Sequence, residues 1–160
     1  MSEKNTTIII GIGNLLLMDE GIGVHVAHEL EKHRLPQDVR IIDGGTGGLK
    51  LLDLLYGANT VIFIDAVENG KAPGTITTFK LNEVCSVLQD RRYSLHETHL
   101  RDVIHMAAIL DNPPEIKIIG IQPKTVKYEM ELSQELRNAM PDIINHVFKE
   151  IQETHGMPSA

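Results

Sequence analysis

Three short apolar runs limit what this chain can fold into: Thr7-Ile8-Ile9-Ile10, Val39-Arg40-Ile41-Ile42 and Val61-Ile62-Phe63-Ile64. The first and third do not alternate with polar residues, which is the pattern of a strand covered on both faces. Their β-branched residues suit a pleated backbone. Between the runs lie segments with helical spacing. Asp19 is a good N-cap for a helix from about Glu20 to His33, with Ile22, Val26 and Leu30 on one face and Pro36 beyond its end. A short helix through Leu51, Leu52 and Leu55 ends near Gly57. Strands that alternate with helices make parallel neighbours in one sheet.

The remainder of the chain extends this order. Thr75 to Phe79 reads as a fourth strand, on an edge or antiparallel, because no helix separates it from the strand Thr60 to Asp65. Leu81 to Leu88 allows one or two helical turns. Ser94-Leu95-His96-Glu97 fits a capping box, with Ser94 as N-cap, for a helix to about Leu110 that Asn112-Pro113-Pro114 stops. Lys117 to Ile121 is a fifth strand, and Ser133 caps a final helix to about Glu153, leaving 156–160 as a loose tail. The expectation is one domain over 1–160, a three-layer α/β/α sandwich on a mostly parallel, mixed five-stranded sheet.

Charge and cysteine usage narrow the function. With 15 basic and 22 acidic residues the formal net charge is -7, which argues against the basic stripe of a nucleic-acid binder. Cys85 is the only cysteine, so no internal disulfide, Cys₄ zinc site or iron–sulfur cluster is available, and a packed thiol is the plain reading of it. Met1 to Thr7 is polar, unlike a leader. No apolar run approaches the roughly 18 residues of a membrane span. A cytoplasmic protein away from the membrane is expected.

Acids fall where the strands end. Asp19-Glu20, Asp43 and Asp65 each follow an apolar run, and parallel strands bring their carboxyl ends to one edge, outside which open α/β sheets bind ligands. Each acid has a plainer use: Asp19 and Glu20 in the first turn of a helix, Asp43 on the amides of Gly44 to Gly48, Asp65 beginning a turn. An acid at the end of a buried strand is nonetheless costly unless something positive lies nearby. The capping box puts His96 in a first helical turn, where the dipole favours neutral imidazole, the form that binds metal. His99 could share that duty, whereas His25, His28, His33, His105, His146 and His155 read as ordinary positions on helices. Oxygen donors with one imidazole suit a divalent metal. The stretch His96-Glu97-Thr98-His99 is not the HExxH of zincins. Gly11-Ile12-Gly13 lacks the third glycine of a dinucleotide site, since Leu16 stands there, and acids at the following helix would repel phosphate.

These residues resemble the [NiFe]-hydrogenase maturation endopeptidases. The likeness runs through Gly11-Ile12-Gly13-Asn14-Leu15-Leu16 with Asp19-Glu20 and Gly23, Asp43-Gly44-Gly45-Thr46, Asp65-Ala66, Pro73-Gly74 and Ser94-Leu95-His96, then Gly120-Ile121-Gln122-Pro123 and Leu132-Ser133. It implies a mixed α/β, phosphorylase/hydrolase-like fold and removal of a C-terminal peptide from the hydrogenase large-subunit precursor after nickel insertion. It also implies metal binding by Glu20, Asp65 and His96, with Asp43 aiding recognition or cleavage. Leu95 stands where the family often has Pro, and His99 adds a second imidazole. The resemblance further implies that the nickel arrives with the precursor, although other divalent metals could occupy the site. The enzyme is expected to act as a monomer. A metal-dependent hydrolase of small molecules and a non-catalytic nickel-site chaperone are the competing readings. Whether Glu20 or Asp43 acts as general base, or the nickel itself activates water, the residues do not decide.

Overall fold

The computed structural model describes residues 5–80, 94–95 and 100–155. Its strands are β1 (Thr7–Ile12), β2 (Val39–Gly45), β3 (Thr60–Glu68), β4 (Ile76–Lys80), β5 (Ser94–Leu95) and β6 (Glu115–Ile121). Its helices are α1 (Ile22–Leu30), α2 (Leu52–Leu55), α3 (Leu100–Ala108) and α4 (Gln134–His155). The main sheet runs β2-β1-β3-β6-β4, which puts β3 at its centre. The pairs β1–β2, β1–β3 and β3–β6 are parallel, and β4 lies antiparallel to β6 on the edge. This is the mixed five-stranded sheet that the sequence implies. The two residues of β5 join it by pairing antiparallel with Val67 and Glu68.

The continuous apolar runs fill both faces because successive side chains in a strand point to opposite sides. Ile8, Ile10, Val61 and Phe63 pack with Leu51, Leu55, Val103 and Ala107 under α2 and α3. Ile9, Ile62 and Ile64 pack with Ile22, Val26, Leu30, Leu136 and Val147 under α1 and α4. Each fully buried isoleucine of this kind contributes roughly 1.5–3 kcal/mol. Among the described residues no helix is long and apolar enough to cross a membrane.

The structure departs from the sequence reading at element ends. A 3-10 turn, Met18–Gly21, precedes α1; Leu17 and Gly21 stand at the two N-cap positions, and no side chain among the described residues caps either element, so Asp19 is not an N-cap. The last turn after Leu30 closes through shorter bonds such as His33 N–H to Leu30 O, ending α1 before His33. Strand β3 does not stop at Asp65, because Ala66 still pairs with Ile121 and the next two residues hold β5. Ser94 is a ladder residue opposite Glu68 rather than a helix cap. Its place in the ladder removes the basis for putting His96 in a first helical turn. Ser133 does cap α4, its Oγ accepting from Leu136 N–H at 3.4 Å. The expected turns at Leu81 to Leu88, Cys85, His96, Glu97, His99 and the tail 156–160 lie outside the described residues.

Candidate functional site

Two buried carboxylates share the edge where the parallel strands end. Asp65 is 1% exposed on the central strand, opposite Gly120, with its Oδ1 accepting from Ala66 N–H at 2.8 Å. Glu20 is 5% exposed in the 3-10 turn, which packs against β3. Two glycines make that packing possible. A Cβ on Gly23 would overlap the carbonyl oxygens of Ile64 and Ile12, so only glycine lets α1 start directly on the ends of β1 and β3. Gly13 has φ 149°, and a Cβ there would overlap the Glu20 carbonyl. Gly13 therefore lets the loop after β1 lie against the Glu20 turn, while Gly11 lets β1 pack against Gly23 and Ala27 of α1.

Asp19, although adjacent to Glu20, has a different task. It is fully buried, and its carboxylate accepts from the backbone N–H groups of Lys124 (2.8 Å), Thr125 (2.9 Å) and Ser133 (2.8 Å) and from Ser133 Oγ (2.7 Å). The irregular segment after β6 has few backbone partners of its own, and the aspartate supplies them. Main-chain bonds from Met18 N–H to Glu129 O and from Asp19 N–H to Thr125 O tie the same two loops. Met18 takes φ 48°, an uncommon value for a side chain of this size, at the start of this junction.

Asp43 stands on the other flank. Its neighbour in the ladder is Gly11, which on its other side faces Ile64. Asp43 and Asp65 are thus on strands two apart, with β1 between them, their backbones about 10 Å apart at the usual strand spacing. Asp43 Oδ1 accepts from Gly45 N–H at 3.0 Å, as its glycine-rich loop allows, and Oδ2 meets His28 Nε2 at 2.8 Å. His28 lies one turn beyond His25 on α1, which packs against β2. The Nε2 of His25 is buried with no hydrogen-bond partner among the described residues. Burial pushes the His25 imidazole below its ordinary value and His28 adds to this, while a hydrogen bond with the Met130 backbone and the Asp19 carboxylate oppose it.

Reading His25 and His28 as ordinary helix positions missed their place beside two acids. The signal available was their spacing of three on the face of a helix that must cover the strand following it. Among the described residues no three His, Cys, Asp or Glu side chains form a group that could hold a metal ion. Glu20 and Asp65 share the edge, Asp43 lies apart, and His96 is outside the described residues. Two carboxylates suit a divalent cation that brings its own remaining ligands.

The chain is similar over most of its length to proteins named for hydrogenase formation or maturation. Residues 24–150 match the family model described as hydrogenase maturation protease, a span that includes Asp43, Asp65 and His96 and begins just after Glu20. The hydrogenase expression/formation protein HoxM of Azotobacter vinelandii is 42% identical over 122 residues, 75% of this chain and 59% of that relative. The chain spans between 56% and 59% of the first curated relatives it matches. The hydrogenase 2 maturation protease of Escherichia coli strain K12 is 29% identical over 150 residues, 92% of this chain and 91% of that protein. The structure of the hydrogenase maturating endopeptidase HybD from E. coli matches with a TM-score of 0.83 at 29% identity, covering 93% of each chain. The [NiFe] hydrogenase maturation protease HybD of Thermococcus kodakarensis, at 24% identity and a TM-score of 0.75, shares the fold. On the strength of this match and of the sheet that carries it, the chain belongs to the hydrogenase maturation protease family.

Proposed function

We propose that this protein is an endopeptidase that removes a C-terminal peptide from the nickel-loaded precursor of a [NiFe]-hydrogenase large subunit. The observation that supports it most is the pair of buried carboxylates, Glu20 and Asp65, at the ligand edge of the sheet in a chain of this family. In this reading Glu20, Asp65 and His96 bind the nickel that the precursor already carries. They offer oxygen and imidazole but no thiolate, so they hold the ion without removing it from the precursor's softer ligands. Docking on the metal places the scissile peptide beside the edge, and positioning of this kind lowers a barrier by several kcal/mol.

Asp43, two strands from Asp65 and held by Gly45 and His28, takes the peptide rather than the ion. Each of its oxygens accepts one hydrogen bond and keeps a second lone pair, enough to accept from a backbone N–H of an extended substrate. Hydrolysis then consumes one water: its oxygen bonds to the scissile carbonyl carbon, the C–N bond breaks, and a proton goes to the leaving amine. Selectivity for loaded precursor follows, because a precursor without nickel lacks the group that Glu20, Asp65 and His96 grip.

The test is a mass measurement. Purified protein mixed with nickel-loaded precursor is expected to release a C-terminal peptide, and to leave metal-free precursor whole. An intact precursor mass despite binding would replace the endopeptidase reading with that of a chaperone. Cleavage of small-molecule esters or amides in place of the precursor would replace it with a small-molecule hydrolase. The expected cytoplasmic location and monomeric state belong to the same proposal, and sedimentation of the active enzyme checks the latter.

A further inference from the structure

We infer that His28 is a positioning residue for Asp43, and that it sets how tightly the substrate peptide is held rather than how fast it is cut. The inference rests on the endopeptidase reading above. It starts from one bond, His28 Nε2 to Asp43 Oδ2 at 2.8 Å, and from the way each partner is mounted.

Asp43 sits near the end of β2, on a strand whose register breaks next to it: Gly11 faces Asp43, but Ile12 faces Gly45. The bulge leaves Gly44 without a ladder partner and turns the chain into the loop that follows. A carboxylate at such a place has free rotation unless something fixes it. Gly45 N–H holds one oxygen from the aspartate's own loop, and that bond alone lets the other oxygen swing. His28 supplies the second fixed point from a separate element. Its backbone is rigid, because α1 buries Val26, Ala27 and Leu30 around it. Two donors on two oxygens define the carboxylate plane and therefore the direction of its remaining lone pairs.

The pair is open to solvent on one side, with side-chain exposures of 47% for His28 and 41% for Asp43. A purely structural pair gains little at that exposure. An exposed, doubly anchored acceptor on the ligand edge is, however, what a peptide N–H can find without reordering the site, and preorganisation of this kind strengthens binding. Because Asp43 lies two strands from Asp65, its effect falls on the peptide away from the scissile bond.

The experiment compares wild type, His28→Ala, His28→Gln, Asp43→Asn and the double variant His28→Ala/Asp43→Asn, using nickel-loaded precursor. Two readouts are taken: cleavage kinetics and the Kd for precursor. His28→Ala is expected to raise KM and Kd about threefold to fivefold, the effect of an exposed charged contact, and to leave kcat within about twofold. His28→Gln, whose amide nitrogen sits near the place of Nε2, is expected to restore binding. In the Asp43→Asn background the His28→Ala change should have no further effect, since the partner is already gone. Unchanged Kd in His28→Ala, or the same loss with and without Asp43, overturns the inference. A fall confined to kcat overturns it too. Wild-type protein that binds but never shortens the precursor sinks the endopeptidase reading instead, and the Kd series still decides the part played by His28.

Discussion

Two acids flank the ligand edge and are held in opposite ways. Asp19 is fully buried, and four donors from the segment after β6 converge on its carboxylate. Asp43 is partly exposed, and among the described residues Gly45 N–H and His28 Nε2 approach it. The first arrangement ties an irregular loop to the body of the protein, with three donors on Oδ2 and one on Oδ1, and commits the carboxylate to that loop. The second orients a carboxylate and leaves part of it open. Between them lie Glu20 and Asp65, buried like Asp19 but at the edge itself. The contrast suggests that burial alone does not sort structural acids from functional ones at this edge; what the oxygens are bonded to does so better.

The largest effect should come from the two acids in the middle. Glu20→Gln and Asp65→Asn keep shape and remove charge, and each is expected to lower precursor processing on the order of 10³-fold, in line with loss of a site's main electrostatic contact. Circular dichroism and the unfolding midpoint should stay near wild type. Full processing by Glu20→Gln would move Glu20 into the company of Asp19 as scaffold, and the contrast drawn above would fail for adjacent residues.

Asp19→Ala should have the next largest effect, on stability. It leaves three backbone N–H groups and the Ser133 hydroxyl without their acceptor, which costs about 3–5 kcal/mol. Urea unfolding measures this as a lower midpoint at unchanged slope. Asp43→Ala, by comparison, should fall within about 1 kcal/mol of wild type because its partners are half in solvent. Equal losses at the two positions would show that the clamp is no stronger than the exposed pair.

The fold could be read from the sequence because its main signals are local. Continuous runs such as Ile8-Ile9-Ile10 and Ile62-Phe63-Ile64 must have both faces covered, and the missing helix before Thr75 forces an antiparallel strand. Glu20, Asp43 and Asp65 are legible as acids toward the carboxyl edge of the sheet for the same reason, although β3 runs on past Asp65 to Glu68. What escaped depends on residues far apart in the chain. Nothing near Asp19 in sequence announces that its partners are Lys124, Thr125 and Ser133, so a local cap was the natural reading. Ser94-Leu95-His96-Glu97 matches a capping box, yet Ser94 and Leu95 pair with β3, a tertiary contact that overrides the local pattern. Likewise the His28–Asp43 bond joins α1 to the end of β2, and the spacing of His25 and His28 places them on one helix face without naming the acid they meet.

His25 links the two flanks and offers the smallest effect. It faces the Met130 backbone and the Asp19 carboxylate on the clamp side and His28 on the open side. Burial first, and the neighbouring His28 second, hold its imidazole below the ordinary value of 6.5. A histidine so depressed binds its proton less readily folded than unfolded. Stability from this residue is therefore whole above pH 6.5, falls as pH drops below it, and levels off once the folded value is passed. His25→Asn should flatten that part of the pH–stability curve, read as urea midpoints between about pH 7.5 and 5. Asp19→Asn removes an opposing charge and should steepen the curve, whereas His28→Gln should make it shallower. If all three variants keep the wild-type slope, His25 feels neither flank, and the clamp and the open pair are electrostatically separate.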